Sequence, residues 1–252
     1  MEHTGKHALV TGGGTGIGKG IALALADAGA EVTITGRNGD RLRSVADSHP
    51  RLHALVMDVD NEASVRDGIA AAAQARGPVQ ICVANAGIAE GGPFAKTTLA
   101  AWRKTMATNL DGVFLTFQSA LASLPADLPA RMIVVSSIAG VRGLKNAIPY
   151  TASKHAVIGL IRGLSEEYMR SPITFNTLCP GYVDTAIVQN QLPGLMQRFG
   201  VDAAGATDLI AKGNRHRRLL QVDETTAAAM WLCSDGARSV NGQTIQISGG
   251  QV

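Results

Sequence analysis

The sequence predicts a doubly wound α/β fold, a single domain built around a parallel seven-stranded sheet. Three observations predict it. Short β-branched runs alternate with longer stretches at helical spacing throughout the 252 residues. The strand-like runs are apolar almost continuously, as strands covered on both faces must be. No internal repeat, Pro/Ser linker or low-complexity tract breaks the series, so residues 1–252 read as one unit.

Taken in order, His7–Thr11 (HALVT) is the first strand; glycines end it, and the Ala- and Leu-rich Ile17–Ala28 is the first helix. Glu31–Thr35 (EVTIT) is the second strand, followed by a charged helical stretch around Asp40–Ser48. His53–Met57, Val79–Ala84, Met132–Ser136, Ile173–Cys179 and Thr244–Ile247 complete the seven strands. Helical patterns occupy Glu62–Arg76, Thr98–Leu124 and Pro149–Met169, and another begins near Asp223. Right-handed crossovers between parallel strands put helices on both faces. The longest irregular region, Gly181–Val222, holds Pro193, Gly194, Gly200, Gly205 and Gly213 among short helical fragments. Ligands of such sheets sit outside the carboxyl ends of the strands, so residues 183–222 are expected to cover the substrate.

Composition narrows the function classes. Lys+Arg number 23 against Asp+Glu 20, a net charge of +3 with both signs interspersed, which gives no nucleic-acid footprint. Cys82, Cys179 and Cys233 are odd in number and far apart, consistent with reduced, buried thiols. Without a CxxC pair or an HExxH motif a metal site is not expected. A strand as early as His7 leaves no room for a signal peptide, and no apolar run reaches the ~18 residues of a membrane span. The expected location is the cytoplasm, with no membrane partner.

Glycine is the outlier, at 29 residues, and it clusters where a first βα turn falls. In Thr11-Gly12-Gly13-Gly14-Thr15-Gly16-Ile17-Gly18, Gly12 permits a tight turn, Gly16 a close approach to a pyrophosphate and Gly18 tight helix–strand packing. The helix start then offers unpaired N–H groups and a positive dipole end to phosphates. The rival is a nucleotide-phosphate loop. Gly13, Gly18 and Lys19 fit its spacing, but position 20 is Gly, so the Mg²⁺-binding hydroxyl is missing. A Rossmann-like dinucleotide site follows. Past the second strand, where an acidic residue would bind the adenosine ribose of NAD, stand Gly36 and Arg37. A guanidinium there pairs with a 2′-phosphate, which favours NADP over NAD.

Tyr150 and Lys154 lie one helical turn apart and project from one face. A tyrosine has an ordinary pKa near ~10, and a nearby ammonium together with the nicotinium charge favours its phenolate. Tyr150 then exchanges a proton with an alcohol or alkoxide, while Ser137, at the end of the fifth strand, holds the substrate oxygen.

These motifs together resemble the short-chain dehydrogenase/reductase family, and the resemblance covers nearly the whole chain. Thr11–Gly18 resembles its T-G-x3-G-x-G turn, Asp58-Val59 its adenine-contacting pair, and Asn85-Ala86-Gly87 the end of N-N-A-G. Ser137–Gly140 resembles S-x-x-G, Tyr150–Lys154 Y-x3-K, and Asn176–Gly181 N-x3-P-G, followed by Val183 and Thr185. The resemblance implies a hydride-transferring oxidoreductase of secondary alcohols and ketones. It implies Tyr150 as acid/base and Lys154 as its activator and a ribose ligand. Ser137 would position the carbonyl, and Asn109 would support a water relay. Gly12, Gly14, Thr15, Gly16, Ile17, Gly18, Arg37, Asp58, Val59, Asn85, Ala86, Gly87, Tyr150, Lys154, Pro180, Gly181, Val183 and Thr185 would contact the cofactor. It also implies a homotetramer built by pairing Thr98–Leu124, Pro149–Met169 and the C-terminal strand region, with Ala152, Ala156, Gly159 and Gly163 on the second of these helices permitting close approach. Three departures stand out: Ala84 in place of the first Asn of N-N-A-G, Thr15 where NADP-dependent relatives often carry a second basic residue, and Ser248 before Gly249-Gly250.

The basic run Lys212–Arg218 suits phosphate recognition. That points to a 3-oxoacyl or 3-hydroxyacyl thioester on coenzyme A or an acyl carrier. An uncharged secondary alcohol, cyclic ketone or steroid is the alternative. A non-catalytic dinucleotide-binding sensor or scaffold is the reading from a different class.

Overall fold

The computed structural model describes residues 2–250, so Met1, Gln251 and Val252 of the expected domain lie outside the described residues. Its sheet has seven strands, all parallel, in the order β3-β2-β1-β4-β5-β6-β7. They are β1 His7–Thr11, β2 Glu31–Gly36, β3 Leu52–Val56, β4 Val79–Ala84, β5 Ala130–Val135, β6 Ile173–Pro180 and β7 Thr244–Ile247. Within a strand, alternate residues supply opposite cores. Ala8 and Val10 pack with Ile21 and Leu25 on one face, while Leu9 packs with Val65 and Phe117 on the other. On β5, Ile133 and Val135 join the first cluster, Met132 and Val134 the second. This two-sided burial is the cause of the unbroken apolar runs.

The helices are α1 Gly16–Asp27, α2 Gly39–Ala46, α3 Glu62–Arg76, α4 Leu99–Met106, α5 Gly112–Ala122, α6 Ile148–Glu167, α7 Ala186–Gln189, α8 Leu192–Phe199, α9 Ala203–Ala211 and α10 Val222–Cys233. The helix expected to run unbroken over Thr98–Leu124 is interrupted by a π turn at Ala107–Asp111. Local packing accounts for it. Thr108 donates to the Asp60 carboxylate at 3.0 Å, and a Cβ on Gly112 would come within 2.9 Å of Val59. The wider turn absorbs the extra residue and keeps Asn109 pointing inward, fully buried.

The excursion after β6 is tied at its neck. Leu220 N–H donates to the Tyr182 carbonyl and Asp184 N–H to the Leu220 carbonyl, both at 2.9 Å. The segment beyond carries α7 to α9 around its own small core of Val188, Leu192, Ala206, Ile210, Ala211 and Leu219. Neighbouring β1 and β4 diverge to strands on opposite sides, and the crevice outside their carboxyl ends is where such sheets take ligands.

Candidate active site

Gly12 and Gly16 adopt φ of +65° and +51°, conformations that side chains rarely tolerate. A Cβ on Gly18 would come 2.4 Å from Asn85 Nδ2 and 2.5 Å from the Gly12 carbonyl oxygen, so only glycine lets α1 pack against this turn. Asn85 in turn clamps the turn to β4: its Nδ2 donates to the Thr11 carbonyl at 3.0 Å. Thr11 Oγ1 accepts from the N–H groups of Asn85 and Ala86, each at 3.0 Å. Thr15 makes no side-chain cap, and the first turn of α1 carries no acid, so its N–H groups stay available to an anion. A Cβ on Gly16 would lie 3.1 Å from the Thr185 methyl, which places the start of the post-β6 segment against the same turn.

A pocket of about 160 Å³ beside it is lined by Gly12, Gly36, Arg37, Asp58, Val59, Ala86 and Gly87. A larger cleft of about 1070 Å³ continues from Ile17, Asn85 and Gly87 to Ser137, Tyr150, Lys154, Pro180, Gly181, Val183 and Thr185. The cradle, the open helix terminus and the two connected recesses fit a dinucleotide. Arg41 on α2, which belongs to no motif of the sequence, also reaches the turn. Its Cγ lies 3.5 Å from where a Cβ on Gly14 would be, so the side chain crosses the turn.

The reacting groups line the same cleft. Pro149 in the first turn of α6 pre-sets the helix, and Tyr150 and Lys154 rise from it a turn apart. Lys154 Nζ lies 5.7 Å from the Tyr150 ring centre and donates to the Val135 carbonyl at 2.9 Å. Tyr150 shares a hydrogen bond with Ser137, whose Oγ also accepts from Ala139 N–H at 3.1 Å. Asn109 is behind them. Its Oδ1 accepts from Ile88 N–H at 2.8 Å, and its Nδ2 donates to the Ile88 carbonyl at 2.9 Å and Ser153 Oγ at 3.1 Å. Ser153 Oγ donates to the Tyr150 carbonyl at 2.8 Å. Asn109 therefore braces the loop after β4 against the turn of α6 that carries the tyrosine.

Burial governs the ionisation here. It pushes the Tyr150 phenol up from its ordinary value, opposed by the Ser137 hydrogen bond. It pushes Lys154 down to about 8. The expectation that the ammonium draws the phenol down is not met in the protein by itself. Desolvation is the largest influence, and in the protein by itself the phenol stays protonated across the neutral range.

Asn214, which carried no sequence motif, is fully buried and holds the neck of the excursion. It accepts from Tyr182 N–H and donates to the carbonyls of Tyr182 and Arg218, all at 2.8 Å. The basic run around it has local partners. Arg218 grips Glu224 through two hydrogen bonds at 2.6 and 2.8 Å, Arg215 donates to the Gly250 carbonyl, and His216 packs on Gly249. Its expected phosphate-binding role loses these two guanidinium groups to internal contacts.

A parallel sheet with a glycine cradle at its switch point and a Ser–Tyr–Lys group in the adjoining cleft defines a dinucleotide-dependent dehydrogenase. The family model of the short chain dehydrogenases matches residues 6–195, and the chain belongs to that family. It is 34% identical over 249 residues to the granaticin polyketide synthase putative ketoacyl reductase 1 of Streptomyces violaceoruber, covering 96% of this chain and 92% of that one. Gluconate 5-dehydrogenase of Gluconobacter oxydans is 32% identical, with 98% and 94% covered. The crystal structure of an actinorhodin polyketide ketoreductase variant with NADPH superposes with a TM-score of 0.93 at 30% identity, covering 99% of this chain and 98% of that one. The protein is an NAD(P)-dependent oxidoreductase, moving a hydride between nicotinamide and an alcohol or ketone carbon.

Proposed function

We propose that the protein reduces the 3-oxo group of an acyl thioester to the 3-hydroxy compound, with NADPH as its cofactor. The observation that carries the chemistry is the meeting of Ser137, Tyr150 and Lys154 in the large cleft, next to the glycine cradle. The likeness to ketoacyl reductases supports the substrate class, and the NADPH in the superposed ketoreductase supports the cofactor.

When bound, NADPH supplies the hydride that reaches the carbonyl carbon. The glycine turn and the N–H groups of α1 would hold its pyrophosphate, Asp58 and Val59 its adenine, and Val183 and Thr185 its nicotinamide end. Ser137 donates to the substrate carbonyl oxygen and fixes it beside Tyr150. As negative charge builds on that oxygen, the Tyr150 hydroxyl gives up its proton to it, and the Lys154 ammonium stabilises the phenolate left behind. Solvent then returns the proton. Asn109 is a positioning residue, and residues 183–222 close over the substrate. The raised phenol pKa keeps the proton in place for reduction at neutral pH.

Arg37 borders the adenine recess and has no ion-pair partner among the described residues, which suits a 2′-phosphate. Arg37→Gln is expected to weaken NADPH relative to NADH by about tenfold, the effect of losing one charge-assisted contact. Fluorescence titration with both nucleotides measures it. With NADPH, turnover of acetoacetyl-CoA is expected to exceed that of cyclohexanone; the reverse order would overturn the thioester assignment and favour an uncharged ketone.

The same reading includes a cytoplasmic homotetramer paired through α4, α5, α6 and the region of the C-terminal strand β7. On α6, Gly159 and Gly163 have open space where a Cβ would stand. Phe114 on α5 is exposed. Light scattering is expected to give four times the 26.1 kDa chain mass, and a monomer would contradict this.

A further inference from the structure

Building on the reading of the cleft as a ketone-reducing site, we propose that its outer end is an anion-binding site. Arg142, Lys145 and Arg198 form it, and it seats a phosphate or carboxylate carried by the substrate away from the reacting carbonyl.

All three side chains line the cleft that holds Tyr150. Lys145 and Arg198 are exposed and Arg142 half-buried, whereas Ser137 and Lys154, which line the same cleft, are buried. Basic side chains elsewhere, such as Arg43, Arg66 and Arg218, are paired with Asp40, Asp67 and Glu224. Among the described residues, Arg142, Lys145 and Arg198 have no carboxylate within ion-pair distance. Arg142 Nε is buried without a hydrogen-bond partner, a costly state for a donor on a cation. Arg198 lies over the Phe199 ring at 5.2 Å, a contact that leaves its N–H fork free. The acid that lines the same cleft, Glu90, is bound by Lys104 at 2.6 Å and neutralises none of the three.

The loop that carries two of these cations is fixed. Asn146 adopts φ of +60°, unusual for a residue with a side chain, and its carbonyl accepts from Gly92 N–H across the cleft at 2.7 Å. A Cβ on Gly91 would come within 3.2 Å of that carbonyl, so the two lips touch through bare backbone. Strained backbone of this kind persists where the surroundings hold it, and it concentrates at ligand clamps. Three uncompensated cations on apolar walls focus a positive field into the cleft, and an anion arriving there supplies the missing partners.

The test compares compounds that carry an anion with counterparts that lack it. Acetoacetyl-CoA is set against the acetoacetyl thioester of N-acetylcysteamine, and acetoacetate against its ethyl ester. Binding of 4′-phosphopantetheine against pantetheine, followed by calorimetry, adds a readout that needs no turnover. The wild type is expected to favour the charged member of a pair by about tenfold or more in kcat/KM or Kd. That ratio is expected to fall towards one in Arg142→Gln and in the double variant Lys145→Gln/Arg198→Gln, and in about 0.5 M salt. Discrimination confined to the phosphate pairs assigns the anion to a phosphopantetheine carrier; discrimination confined to acetoacetate assigns it to a free acid. Equal use of both members of every pair, or a preference that survives all the substitutions, overturns the site. If no thioester is reduced but 4′-phosphopantetheine still binds through these cations, the thioester assignment fails and the site stands. If the uncharged thioester is reduced as well as acetoacetyl-CoA, and acetoacetate is used no better than its ester, the site fails and the reductase stands.

Discussion

Replacing Tyr150 with phenylalanine is expected to lower kcat for ketone reduction by about 10²–10⁴-fold, the usual contribution of a positioned proton donor. NADPH binding is expected to persist, because the ring and its packing remain and only the hydroxyl is lost. The phenol is the group best placed for this role. It shares a hydrogen bond with Ser137, and burial keeps it protonated. Steady-state kinetics with a fluorescence titration of NADPH separate the two effects. Turnover equal to the wild type on a substrate that the wild type reduces would remove Tyr150 from the chemistry.

Lys154→Met is expected to cost about 10²–10³-fold in kcat, the range for losing one preorganised electrostatic contact to developing charge. The same change should not lower the melting temperature at neutral pH. Burial pushes the lysine down to about 8, below its unfolded value of 10.5, so at pH 7 the folded protein bears the cost of a buried ammonium. That cost fades as pH rises through this interval. An apolar side chain of similar length removes it, at the loss of the hydrogen bond to the Val135 carbonyl. Retained stability with lost turnover places the lysine in the reaction. Unfolding would instead make it a structural residue.

The sheet was legible because its strands are buried on both faces, and continuous apolar runs such as Met132–Val135 have no other economical explanation. The glycine cradle and the Tyr150–Lys154 turn were legible because each needs a specific residue at a specific spacing. The π turn was not, since it arises from Val59 and Asp60 pressing on a helix some fifty residues later in the chain, which local periodicity does not record. Charge was the least legible property. Arg215 and Arg218 stand out in the sequence and are spent on Gly250 and Glu224, whereas Arg142, Lys145 and Arg198 are scattered along the chain and meet in one cleft. Burial depth is illegible for a related reason: spacing places an ammonium one turn from Tyr150 but does not record the burial that raises its phenol in the protein by itself.

The most direct measurement is the pH dependence of kcat/KM in both directions with the same substrate pair. Reduction, which needs the phenol protonated, is expected to hold level through the neutral range and to decline above about 8 as Lys154 loses its charge. Oxidation of the alcohol, which needs the phenolate, is expected to rise with pH over the same interval. Profiles that move together, or a reduction rate that climbs as the solution becomes alkaline, would assign the transferred proton to a group other than Tyr150.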